Sequence, residues 1–437
     1  MTRIDTRLHD RKFARTFFTT PTAEQGEDDS AKKLRGAIGL RGMEAPDIWV
    51  PDNEDATAPS MRDEGARNIA SVVAEGGAEF PGEIHPRVVW HRDSAATRYQ
   101  GFEHMLEITD PAHGAVDHID GFVIPEVGDL DDWKKADEFI TIVEQEQGLA
   151  EGSLAMSVII ESGTAEIAMD RLRDEMGRPS NNLERLFTLV DGQVDYTKDM
   201  RAMTPTGGLP AWQALRHNTS KAASAAGLIA IDGPFDNIRD TAAYHDRITA
   251  NNAMGMLGIW SLTPGQVLEA NVSPLPPAEG YWTIDADGRT VELEAVDGVH
   301  EYDGDRIALG RDDGGYRLAV GGSEMALDSE EDLRAALLDL LDYVPSMDDI
   351  VDSMEEFEAA KAAGRGAIAI TQAATIRIDD VEVDVASDRM WDEATYQALK
   401  VPITLFQDVY EHRPDQHEAL ADRYSDDVVQ RAMDVGQ

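Results

Sequence analysis

AMSVIIESG, residues 155–163, and RLFTLVDGQVDYTKDM, residues 185–200, decide the fold. Each begins as a short apolar run, turns polar at its end and continues into a segment of helical character. Between them, AEIAMDRLRDEM repeats its apolar residues at intervals of three and four. The same unit recurs along the chain. From Phe13 to about Ser261 the runs are RTFFTTP, DIWVP, PRVVW, GFVIP, AMSVIIE, RLFTLV, GLIAI and MLGIWS. Eight strand–helix units are what a closed TIM (β/α)8 barrel needs, and there the residues at the strand ends converge on one face. A doubly wound open sheet alternates in the same way, so the count leaves that alternative open.

Asp55, Glu161, Asp195 and Asp232 each stand at or just after the end of one of these runs, and Arg87 stands at the start of PRVVW. Glu161 and Asp195 stand one strand–helix unit apart. Two carboxylates so placed can share a magnesium ion, which takes one or two carboxylates and keeps positions for water and substrate oxygens. Taken singly, each would more often cap a helix or face solvent. Arg87 can grip a carboxylate or steady an enolate oxygen, and a plain ion pair with Asp55 or Glu54 is the alternative. PDNEDATAP holds Asp52, Glu54 and Asp55, more acid groups than capping requires; they are expected to hold metal-bound water or to orient Arg87.

The formal charge is −45, from 84 Asp plus Glu against 39 Lys plus Arg. Such a surface repels nucleic acid and anionic lipid, so neither is an expected partner. The acidic excess runs through the whole length, which fits a halophile's cytoplasm, where multimolar salt screens charge over about 3 Å. An acidic interaction protein would carry its charge in blocks. The chain has no cysteine, which excludes disulfides, thiolate catalysis and cysteine-held metal. No signal-peptide run and no membrane span is apparent, so the expected location is cytoplasmic.

SPLPPAEG, after Val272, reads as a linker. The expected division is a barrel over 1–272, a small antiparallel β meander over 273–327 (YWTID, TVELEA, RIALG, YRLAV) and a C-terminal helical plug over 328–437. The glycine pairs in TPTGGLP and RDDGGYR lack the flanking strand and helix of a phosphate loop.

The order of motifs resembles the citrate lyase β-subunit and malyl-CoA lyase superfamily, magnesium-dependent barrels acting on acyl-CoA and 2-oxo acids. NEDAT (53–57) is similar to its LEDAV, PRVVW supplies its arginine as Arg87, IIESG its metal glutamate as Glu161, and VDYTKDM, similar to EDYTxDM, its metal aspartate as Asp195. AAGLIAIDGPFDNIRD matches the AIDG strand, and TPGQVLEAN resembles HPxQIxxVN. Two departures turn the resemblance toward malate synthases. Glu126 in IPEVG replaces the lysine of LPKVE, and Trp260, Ser261 and Thr263-Pro264 replace IHP. Malate synthases share the barrel, the arginine and the metal pair, carry a tryptophan near the last strand, and add a C-terminal plug.

RMWDEAT resembles the MEDxAT motif of that plug, which makes Asp392 the catalytic base, with Asp388 next if the register slips; by local pattern alone Asp392 is a helix N-cap. The resemblance, closest to the small haloarchaeal form, implies an acyltransferase in which Mg2+ on Glu161 and Asp195 holds glyoxylate beside Arg87 and Trp260. Asp392 takes a methyl proton from acetyl-CoA, Arg87 steadies the enolate, and malyl-CoA is hydrolysed to malate and CoA. Asp52, Glu54, Asp55 and Asp232 would support the site. Lys32, Lys33, Arg35 and Arg41, the densest basic cluster, would meet the CoA phosphates, unless they are solvated helix charges. Alternatives are a malyl-CoA lyase or malyl-CoA thioesterase, and a non-catalytic salt-adapted assembly protein. A homo-oligomer, trimer or hexamer, is expected.

Overall fold

The eight apolar runs become eight parallel strands in the computed structural model, which describes residues 8–176, 183–201, 210–312 and 314–436. They are β1 (Thr16–Pro21), β2 (Ile48–Asp52), β3 (Glu83–Ile84), β4 (Gly121–Ile124), β5 (Ala155–Ile160), β6 (Leu186–Asp191), β7 (Ile229–Asp232) and β8 (Gly258–Ser261). Their order is β3-β2-β1-β8-β7-β6-β5-β4. The ends of that order meet around Pro86. The Arg87 N–H donates to the Pro51 carbonyl (2.9 Å), and the Val123 N–H donates to the Pro86 carbonyl (3.0 Å). These bonds close the ring and decide for the barrel over the open sheet. The third ladder starts at Glu83, ahead of the run PRVVW, and Pro86, with no N–H, interrupts it.

Alternation explains why the runs are continuously apolar. Phe17, Ile48, Val50, Val123, Ile159, Val190, Ile231 and Trp260 pack together inside the ring. Their neighbours Trp49, Val158, Ile160 and Leu189 pack outward with helix residues such as Ile69, Trp133 and Leu215. Both faces of every strand are buried, as in parallel barrels generally. The helices begin on polar caps: Asp129 accepts from the Asp132 N–H, Ser162 from that of Ala165 and Thr263 from that of Gln266. TPTGGLP lies almost wholly outside the described residues.

The chain divides into two compact units, 1–274 with 408–417, and 275–407 with 418–437. Residues 408–417 thus belong with the barrel, where a plug running unbroken to 437 had been expected. The reason is a buried ion cluster: Arg413 and Arg15 both grip Asp47, and all three side chains are fully buried. The second unit is also less helical than expected. Its early strands enter three small sheets, two of them completed by later segments: Tyr281–Asp285 pairs with Leu341–Val344, and Val299–Tyr302 with Ala367–Ile378, while Ile307–Asp312, Gly315–Val320 and Ser323–Leu327 form the third alone. A hairpin of two 12-residue strands, Ala367–Ile378 against Val381–Asp392, stands where only helix had been read. Helices Met347–Ala362 and Glu393–His412 do form. No helix among the described residues is long and apolar enough to cross a membrane.

Candidate active site

Arg87 organises the C-terminal end of the barrel. Its side chain is 6% exposed, and its Nε and Nη2 donate to the two oxygens of Asp52, the last residue of β2, at 2.7 and 2.5 Å. Nη1 faces Glu54 at 3.2 Å and Asp55 at 3.7 Å. The guanidinium lies 5.3 Å from the ring centre of Trp260, whose indole N–H donates to the Thr19 hydroxyl (2.9 Å). Strands β1, β2 and β8 therefore meet at one cation. The acidic loop is fixed locally: the Thr57 hydroxyl donates to the Asp52 carbonyl (2.7 Å), and the Asn53 amide donates to the Arg62 carbonyl (2.9 Å).

Glu161 follows β5 and is 5% exposed. It accepts the backbone N–H of Glu126, a non-glycine residue at φ 46°, and the Glu126 side chain pairs with His91 (3.0 Å). Gly192 packs against the same carboxylate; a Cβ there would stand 2.6 Å from the Glu161 Cβ and 2.9 Å from its Oε2. Glycine is required for Glu161 to lie where it does. Asp195 sits in the first turn of helix Gln193–Asp199, a third exposed, and bonds the Lys198 ammonium (3.1 Å).

Burial pushes the Glu161 carboxyl up to about 8; the Glu126 N–H and Arg87 oppose this, while the charges of Asp195 and Glu126 add to it. Glu54 is also raised to about 8, by burial first, with Arg87 opposing and Asp55 and Asp52 reinforcing. Glu161, Asp195, Glu126 and Arg87 thus share one field. Carboxylates outnumber cations there, and two nitrogens of the one buried guanidinium are committed to Asp52. Such a cluster fits a hard, oxygen-seeking divalent ion, with Glu161 and Asp195 as the carboxylates to hold magnesium.

Other expected residues lie elsewhere. Asp55 is beyond the strand end with its side chain 63% exposed, and Asp52 occupies the place expected for it. Asp232 is turned to the helix layer. It accepts from Arg247 (2.5 and 2.8 Å), Asn251 (2.8 Å) and Gln193 (2.6 Å), and so anchors the helix that carries Asp195. Lys33 pairs with Glu24, Arg35 with Asp29 and Glu75, and Arg41 with Glu79. Lys32, Lys33 and Arg35 lie on one seven-residue helix, Lys32–Ile38, and Arg41 stands beyond its end, so the charges of Lys33, Arg35 and Arg41 are already met by carboxylates.

Asp392, in the second unit, ends the long hairpin, fully exposed. Its Oδ1 accepts the Thr395 N–H (3.0 Å) and hydroxyl (3.3 Å), bonds that hold its carboxyl below the usual range. The N-cap pattern read from sequence is therefore present, and it keeps the carboxylate ionised. Asp388, on the same strand, takes the Thr371 hydroxyl (2.6 Å). Sequence reasoning passed over Gly192, Gln193 and the Glu126 N–H; the DGQ directly after the sixth run was the available signal.

A family model described as HpcH/HpaI aldolase/citrate lyase matches residues 38–262, and one described as malate synthase H C-terminal domain matches 282–397. Malate synthase of Haloferax volcanii is 73% identical, over 98% of this chain and 99% of that one. Two solved structures from that organism each cover 98% of this chain and 100% of their own, with TM-score 0.60. One is a malate synthase pyruvate/acetyl-CoA ternary complex at 67% identity, and the other a malate synthase magnesium/glyoxylate complex at 62%.

Proposed function

We propose, because the chain belongs to the malate synthase family, that it condenses acetyl-CoA with glyoxylate and hydrolyses the thioester to release malate and CoA. The observation that carries this is the meeting of Arg87, Trp260, Glu161 and Asp195 at one end of the barrel. Magnesium held by Glu161 and Asp195 would supply the positive charge that orients glyoxylate and makes its aldehyde carbon electrophilic. The Asp392 carboxylate removes a proton from the methyl group of acetyl-CoA. Arg87, kept in place by Asp52 and backed by the Trp260 face, stabilises the negative oxygen of the resulting enolate. Attack on the aldehyde carbon makes the new carbon–carbon bond. Water then cleaves the thioester, and its loss makes the reaction run forward.

The finer features go with this reading: a role in the glyoxylate bypass, a homo-oligomer of three or six chains, and a salt-rich cytoplasm. The last is supported by the charge of −45 carried along the whole chain. A malyl-CoA lyase or thioesterase using the same barrel is separated by one assay. The purified chain with magnesium is given acetyl-CoA with and without glyoxylate, and free thiol is followed. Thiol release that requires glyoxylate is expected; release from acetyl-CoA alone, or from neither mixture, refutes the synthase reading. With no cysteine in the chain, the reagent reports CoA only.

A further inference from the structure

The opposite end of the barrel holds a second set of ligand-type side chains. β3 starts at Glu83, and short helix Leu8–Arg11 brings His9 against it. His9 Nδ1 lies 2.9 and 3.1 Å from the two Glu83 oxygens, and His85 Nε2 lies 2.8 Å from Oε2. One donor atom from each residue falls within 4.8 Å of the others. All three are buried, at 8%, 3% and 0% exposure. The Phe187 ring lies 6.0 Å from each imidazole. Among the described residues His85 Nδ1 is buried with no hydrogen-bond partner, and the ring's hydrogen bond there is the one to Glu83. None of these residues enters the reaction at the other end.

Two imidazoles and one carboxylate are the ligand set of zinc and the neighbouring divalent metals, whereas magnesium prefers oxygen alone. We infer that His9, Glu83 and His85 form a structural site for a zinc-class divalent cation, which pins the N-terminal segment to the third barrel strand. Burying a carboxylate with histidines is costly without good pairing, and a bound cation supplies that pairing with both rings neutral. The competing cation is Lys12, whose ammonium is held instead by the Leu186 carbonyl (3.0 Å).

The test uses the full chain carrying Glu161→Gln, which removes the magnesium carboxylate at the other end. Metal is stripped with chelator, and cobalt(II) is added as a spectroscopic probe for zinc. The expected result is visible ligand-field absorption of a low-coordinate nitrogen–oxygen site, saturating at about one cobalt per chain and displaced by zinc but not by magnesium. His9→Gln added to this chain should weaken zinc binding at least about tenfold by equilibrium dialysis. No visible band in the chain with the trio intact overturns the inference, and so does unchanged zinc affinity in the His9→Gln chain. Because the first measurement needs no change to the trio, a folding defect in the variant leaves it decisive.

Discussion

Replacing Arg87 by lysine keeps the charge and removes the fork. Arg87 commits two nitrogens to Asp52, at 2.7 and 2.5 Å, and turns the third toward Glu54 at 3.2 Å. It can hold its anchor and still present a donor to an enolate oxygen. Lysine has one nitrogen, which buried Asp52 will capture. Losing one donor to a developing oxyanion costs about 2.7–4 kcal/mol, or about 10²–10³ in kcat. The single anchoring bond to a charged partner that is also lost is worth about 1.5–3 kcal/mol, which falls on stability. KM for glyoxylate should move only a few-fold, because the carboxylates proposed to hold magnesium are untouched. Initial rates of thiol release measure both constants, with unfolding measured alongside. If Arg87→Lys retains kcat within about threefold, or if its whole loss lies in KM, the arginine is a binding group and its proposed transition-state role is wrong.

Asp392→Asn should lower kcat by about 10²–10⁴ while leaving magnesium binding intact, since an amide can still cap the Glu393–His412 helix but cannot accept the proton; turnover near the parent's would remove it as the base. The pH dependence has a definite sign. Glu161 sits at about 8 in the metal-free fold against an ordinary 4.5, so the folded chain binds the extra proton between those values. Stability of the metal-free chain should therefore fall as pH rises through that window. Magnesium affinity should rise over it by up to about tenfold per unit, read by calorimetric titration near pH 6 and near pH 8; equal affinities would contradict the shift. At the other end of the barrel, Asp47→Asn leaves the fully buried Arg15 guanidinium without its charge partner, while Arg413 keeps Asp415, and should cost about 3–5 kcal/mol. Arg413→Met leaves Asp47 paired to Arg15 and should cost about 1–3 kcal/mol in denaturant unfolding; the reverse ranking would refute the account.

The barrel was legible because burial on both faces leaves an uninterrupted apolar run, a signal that needs no neighbour to read. Its weakest point was the third strand. Glu83, His85 and Pro86 make EIHP look like a connection, although His85 and Arg87 donate backbone bonds to Trp49 and Pro51 as a strand does. The 367–392 hairpin was missed for a different cause. Its burial alternates along Val381–Val385, as a half-exposed strand should, but AIAITQAATIRI is rich in alanine and lies between two helices. Six of its twelve residues are β-branched and its partner strand follows directly, so the signal was present but was masked by the helices on either side. The Asp47 cluster was illegible because Arg413 is distant in sequence from both partners.

At the site, the useful question is which face each strand end presents. Ile48 and Val50 face the barrel interior, so Asp52 does too; Ile159 faces in, and so does Glu161. By the same count Val190 and Ile231 face in, which sends Asp191 and Asp232 outward to the helices. Their partners agree: Thr219 for Asp191 (2.6 Å), and Arg247 and Asn251 for Asp232. Burial and the charge of Asp232 hold the Asp191 carboxyl well above its usual range, away from the pocket. The sixth and seventh strands therefore end in carboxylates that cannot reach a cation inside the ring. The second carboxylate has to come from the next turn of chain, which is where Asp195 stands, and Gln193, bonded to Asp232, fixes that turn. An outward-facing aspartate that contributes no oxygen to the pocket thus decides where the proposed ligand stands.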